Sequence, residues 1–148
     1  MAEKLKVLFL CTANSARSQM AEGLLRHLAG GGFEVHSAGL ESRGLHPMAV
    51  QAMAELGIDI SDQTSKSLRV YMGHVHFNTV ITVCANAEDQ CPAPLWSNGE
   101  KMHWPFDDPA AIEDDATARL ETFREVRDAI RERISQWLVE IGYTAERI

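Results

Sequence analysis

The chain has no run of apolar residues approaching the ~20 needed to cross a bilayer, and its first residues lack the layout of a secretory signal. The cytoplasm is therefore the expected compartment. It also lacks positive charge: 14 Lys and Arg against 21 Asp and Glu give a net charge of −7. A nucleic-acid partner is excluded on that balance, because phosphate backbones demand a basic surface. An anionic small molecule would need a local cradle instead. Only three cysteines occur, Cys11, Cys84 and Cys91. In a reducing compartment they are not a structural disulfide framework. Cys84 and Cys91 also lack the short Cys-x2-Cys spacing of structural zinc sites, so no metal and no cofactor is expected. No repeat, linker or low-complexity tract divides the chain, and residues 1–148 read as one domain.

What is present is an alternation of strands and helices. Leu5 to Leu10 is a short apolar run of the kind buried on both faces of a sheet. From Ser18 the pattern becomes helical through Met20, Leu24 and Leu28 and stops at Gly30-Gly31-Gly32. Phe33 to Ala38 reads as a second strand. Pro47 opens a helix with Val50, Met53 and Leu56 as its apolar stripe, ended by Gly57. Ser65 to Tyr71 is read as a further short helix, Thr79 to Val83 as a β-branched strand, and Lys101 to Trp104 as a fourth strand. A long helix spans about Ala116 to Ile141, with Leu120, Phe123, Val126, Ile130, Ile134, Trp137, Leu138 and Ile141 as its core stripe. Glu113, Asp114 and Asp115 precede its positive end. Such alternation indicates βαβ units, a parallel sheet and ligands bound beyond the carboxyl ends of its strands. Cys11 and Cys84 both fall at strand ends.

The octapeptide Cys11-Thr12-Ala13-Asn14-Ser15-Ala16-Arg17-Ser18 joins the first strand to the first helix. The thiolate is the reactive form of cysteine, and an ordinary thiol is mostly protonated at neutral pH. Converging backbone N–H groups, a helix N-terminus and Arg17 all favour the anion here, and Ser15 or Ser18 is placed to donate to the sulfur. The same groups suit a tetrahedral oxyanion, with Arg17 gripping two oxygens as a fork. Asn14 is expected to shape the loop, since asparagine tolerates a left-handed backbone. Attack on an oxyanion expels an oxygen, which a nearby acid would protonate. Asp107 and Asp108, before Pro109 on a polar stretch, are the candidates.

The octapeptide resembles the phosphate loop of low-molecular-weight protein tyrosine phosphatases and of the arsenate reductases built on the same fold. The similarity extends through Ser37-Ala38-Gly39, Gly57-Ile58-Asp59-Ile60-Ser61 and Phe106-Asp107-Asp108-Pro109. It implies an α/β fold of three layers, with four parallel strands in the order 2-1-3-4 and helices on both faces. It also implies that the carboxylate directly before the proline, Asp108, is the general acid. Cys84 and Cys91, seven positions apart, match the second and third cysteines of the thioredoxin-coupled arsenate reductases. Ala110 and Ala111 stand where the phosphatases carry tyrosines that help bind phosphotyrosine. The implied function is reduction of arsenate through Cys11, then Cys84, then Cys91, with thioredoxin as donor. The rival is a phosphatase that uses Cys11, Arg17 and Asp108 alone. Some relatives bind potassium through residues matching Asn14, Glu22, Ser37 and an aspartate; here the last position is Lys66, which implies weak or absent potassium dependence.

The relay carries a geometric condition. Were residues 84–91 helical in the reduced state, the two cysteines would stand ~10.5 Å apart along the axis, whereas a disulfide needs Cα atoms within ~7 Å. The segment is therefore predicted to unwind on oxidation. Reduced and oxidised structures sharing one backbone trace there would refute this.

Overall fold

The computed structural model describes residues 4–92, 99–111 and 115–143. Four strands, β1 (Leu5–Cys11), β2 (Phe33–Gly39), β3 (Thr79–Thr82) and β4 (Glu100–His103), alternate with α1 (Arg17–Ala29), α2 (Pro47–Ala54), α3 (Ala85–Gln90) and α4 (Ala116–Glu140). The strands form one sheet in the order β2-β1-β3-β4, and every pairing is parallel. This is the architecture that the strand–helix alternation and the family resemblance imply.

β1 lies at the centre of the sheet because both of its faces are apolar. Val7, Phe9 and Cys11 point one way, Leu8 and Leu10 the other, and all are buried. The face of Phe9 and Phe33 is covered by α4 through Trp137, whose ring lies 5.5 Å from that of Phe33. α1 and α2 pack against α4 on this side. On the opposite face His36 meets Tyr71 and Phe77 at 5.2 and 5.6 Å, and α3 rests on β1 and β3.

Local chemistry sets most boundaries. Pro47 begins α2 after His46, whose Nδ1 accepts from the Met48 N–H at 3.1 Å. α2 ends in a turn closed by Ile58 N–H on Met53 O, with Gly57 at φ +75°, where a Cβ would be strained. Asp115 caps α4 by accepting from the Ala118 N–H at 2.8 Å. Glu113 and Asp114, the other two acids read as preceding that helix, lie outside the described residues. Among the described residues no helix is long and apolar enough to cross a membrane.

Three expectations are corrected. Ser65 to Tyr71 is not an α-helix; only Leu68–Val70 forms a 3-10 turn. The residues before it form no helix and meet β2 at one parallel bridge, Gly39 with Ser67, and Thr64 O and Lys66 N–H bond to the side chains of Gln19 and Asn14. Those long-range bonds outweigh the local pattern. In α2 the buried side is Ala49, Ala52 and Met53, with Val50 and Leu56 only partly covered. Ile141 caps the end of α4 and is 46% exposed rather than core.

Gly39, the last residue of β2, touches the turn after β1. A Cβ there would stand 2.4 Å from Glu41 O and 2.7 Å from Asn14 N, both backbone atoms with nowhere to move. Gly39→Ala is expected to lower stability by about 1–3 kcal/mol, read as a smaller urea midpoint at unchanged slope. An unaltered midpoint would show that the two loops separate freely.

Candidate active site

β1 delivers Cys11 to the carboxyl edge of the sheet, and the chain then turns for five residues, 12–16, before α1 begins at Arg17. The turn is possible because Asn14 adopts a left-handed backbone, φ +50°. Its N–H points at Cys11 Sγ, 3.2 Å away. Ser18 Oγ lies 2.8 Å from the same sulfur, so of the two serines it is Ser18 that reaches the thiol. Ala16, at the start of α1, provides no side-chain cap. The first N–H groups of the helix therefore remain available to an anion.

Asn14 and Ser18 are fully buried and stand behind the turn rather than on its surface. Asn14 Nδ2 donates to Ser18 Oγ at 2.9 Å and to Ser37 Oγ at 3.0 Å. Asn14 Oδ1 accepts from the Lys66 N–H at 2.8 Å and from Gln19 Nε2 at 3.0 Å. Ser37 Oγ donates to Glu22 at 2.5 Å, and Glu22 pairs with Arg26 at 2.6 Å. Lys66 Nζ donates to Thr64 O at 3.0 Å. Burial pushes its pKa down, and the nearby Glu22 carboxylate opposes that shift.

The turn forms one wall of a cleft of about 540 Å³, lined by Cys11, Thr12, Ala13, Ser15, Ala16 and Arg17. Cys84, Asp108, Ala110 and Arg43 also line it. Arg17 bends back over the turn, donating to Phe106 O at 3.2 Å and facing the Asp108 carboxylate at 3.6 Å. Asp108 accepts from the Ala110 N–H at 3.0 Å through its other oxygen. Asp107 faces a separate cleft beside Phe106 and α4. Of the two aspartates, Asp108 alone lines the cleft of Cys11.

Cys84 ends the stretch after β3 and caps α3, its sulfur accepting from the Ala87 N–H at 3.4 Å. It also lies 3.3 Å from Thr12 Oγ1. Two sulfurs therefore border one cleft. Cys91 follows the last turn of α3, half-buried at the rim of the core and away from the cleft lining. The segment between them is helical, as the geometric condition supposed. Among the described residues no group of three or more His, Cys, Asp and Glu is placed to hold a metal ion.

Sequence reasoning missed Arg43. It reaches the cleft because its backbone N–H bonds Ala13 O at 3.1 Å, and its guanidinium pairs with Glu41. The available signal was its place after β2, since loops following neighbouring strands border a parallel-sheet site.

A cysteine at the end of a central parallel strand, its sulfur met by the Asn14 N–H and its cleft lined by Arg17, defines a class: α/β enzymes that engage an oxyanion through a thiol. Residues 6–146 match the family described as low molecular weight phosphotyrosine protein phosphatase, and the chain belongs to that family. It is 46% identical over 138 residues to the arsenate reductase of Shouchella clausii, covering 93% of this chain and 96% of that one. An arsenate reductase solved in a phosphate binding state superposes with a TM-score of 0.78 at 37% identity, covering 93% of this chain and 99% of the other. A thioredoxin-dependent arsenate reductase of Corynebacterium glutamicum gives a TM-score of 0.65 at 30% identity, covering 95% of this chain and 65% of that one.

Ser18→Ala removes the hydroxyl on Cys11 Sγ. A hydrogen bond to a charged group contributes about 1.5–3 kcal/mol, so alkylation of Cys11 by iodoacetamide at pH 6 should slow by about tenfold or more. Peptide mass spectrometry distinguishes Cys11 from the other thiols. An unchanged rate would mean that Ser18 does not stabilise the thiolate.

Proposed function

We propose that the protein reduces arsenate to arsenite through a relay of three thiols, with thioredoxin restoring the resting state. The observation that carries this reading is the position of Cys84, which lines the same cleft as Cys11 with its sulfur 3.3 Å from Thr12 Oγ1 of the turn. A hydrolytic phosphatase has no use for a second thiol there. The arsenate reductases among its relatives support the substrate, and the thioredoxin-dependent one supports the donor.

Arsenate enters the turn with two oxygens on Arg17 and others on the N–H groups of residues 12–18. Cys11 attacks arsenic, and Asp108 protonates the departing oxygen, which leaves as water. Cys84 then attacks Cys11 Sγ. The sulfur–arsenic bond breaks with its electron pair on arsenic, so arsenic(V) becomes arsenic(III) as the Cys11–Cys84 disulfide forms. Cys91 attacks Cys84, and Cys11 departs as thiolate. The resulting Cys84–Cys91 disulfide takes two electrons from the thioredoxin dithiol by the same exchange chemistry. Such a donor and three resting thiols suit the cytoplasm. Ala110 leaves the far wall of the cleft without the aromatic ring that would grip phosphotyrosine.

With arsenate, thioredoxin, thioredoxin reductase and NADPH, wild type should turn over repeatedly, equally in potassium and sodium chloride because Lys66 replaces a carboxylate ligand. Cys91→Ser should stop after about one equivalent while hydrolysing p-nitrophenyl phosphate at the wild-type rate. Phosphate-ester hydrolysis with no arsenate reduction by wild type would establish the phosphatase instead.

A further inference from the structure

α3 has six residues, Ala85–Gln90, far fewer than the ~12–15 an isolated helix needs in water. It therefore stands on tertiary contacts. Ala87, one of its own residues, is fully buried. Glu88, in its middle, reaches to the sheet. Thr82 Oγ1, on β3, donates to Glu88 Oε2 at 2.7 Å, and Lys101 Nζ, on β4, pairs with Glu88 Oε1. His103 Nδ1 lies 2.8 Å from Thr82 Oγ1. His103 Nδ1 also lies 3.6 Å from Glu88 Oε2. Glu88 and Lys101 are two-thirds or more buried at their side chains, so their attraction is screened less than that of a surface pair. Lys101 and Thr82 hold the Glu88 carboxyl below the usual carboxylate range.

We propose that Glu88, gripped by Thr82 and Lys101, is the latch that keeps α3 wound in the dithiol state and is released when the Cys84–Cys91 disulfide forms. This rests on the three-thiol relay. Glu88 lies four residues after Cys84 and three before Cys91, so drawing the two cysteines to disulfide distance must move it. The latch then opposes direct closure of Cys84 on Cys91 and keeps Cys84 facing Cys11 until the Cys11–Cys84 bond exists. When Cys91 attacks Cys84, that bond breaks and its electron pair leaves on Cys11. Stabilising the dithiol raises the reduction potential of the pair. Glu88 is a positioning residue, acting through Cys84.

The test is the potential of the Cys84–Cys91 couple in the full chain, measured in dithiothreitol buffers of graded oxidation with disulfide mapping by mass spectrometry. Glu88→Gln should move the equilibrium about tenfold toward the disulfide, ~30 mV more negative. Lys101→Met should shift it the same way, and the double variant should go no further than Glu88→Gln alone. Hydrolysis of p-nitrophenyl phosphate at Cys11 should not change. Wild-type disulfide formation with an unmoved potential in Glu88→Gln would overturn the latch alone, as would strictly additive shifts in the double variant. Wild type that forms no Cys84–Cys91 disulfide would overturn the relay, and the latch with it.

Discussion

The side chain of Asn14 is the contact on which the rest of the site depends. An amide offers two N–H donors and two acceptor lone pairs. Here the donors go to Ser18 and Ser37 and the acceptor oxygen takes Gln19 and Lys66, so its capacity is filled. These partners come from α1, β2 and the stretch before residue 68. One buried group thereby fixes the distance between three parts of the chain and the turn that holds Cys11. Its own left-handed backbone lets its N–H face the sulfur. In a low-dielectric interior each such bond is costly to leave unmade, which makes the turn rigid before any anion arrives.

At the loop of Phe106 and Asp108 an arginine does the positioning. Arg17 opens α1 directly after the turn yet also grips the loop of Phe106 and Asp108. An anion that draws Arg17 toward itself therefore acts on the Asp108 loop too. A chain with a net charge of −7 needs its cations concentrated where the anion binds, and Arg17 and Arg43 both line the cleft.

The sheet order, the strand ends bearing Cys11 and Cys84, and the left-handed Asn14 were all legible in the sequence, because each follows from patterns within a few residues or from family resemblance. The failures share a cause. Ser65 to Tyr71 looks helical locally, but the start of that stretch is tied down by Gln19 and Asn14, which lie about fifty residues away in sequence. Val50 and Ile141 fit helical stripes, but the side of a helix that is buried depends on its neighbours. Arg43 and the Glu88–Lys101–Thr82 contact join residues with no mutual signature in one dimension. Apolar periodicity reports which residues are buried. It says little about which polar groups find one another.

Cys84 has a second occupation, as the residue whose sulfur begins α3 by accepting the Ala87 N–H. Most helices are capped by an oxygen that chemistry never consumes. Here the capping atom is also the electron carrier of the proposed relay. Once that sulfur is bonded to Cys11, it is a poorer acceptor, and the helix behind it loses its first anchor while Cys91 is still a thiol. The oxidation state of one atom is thus written into the folding stability of a six-residue segment. In the proposed relay no separate sensor is needed to tell the third cysteine when to move.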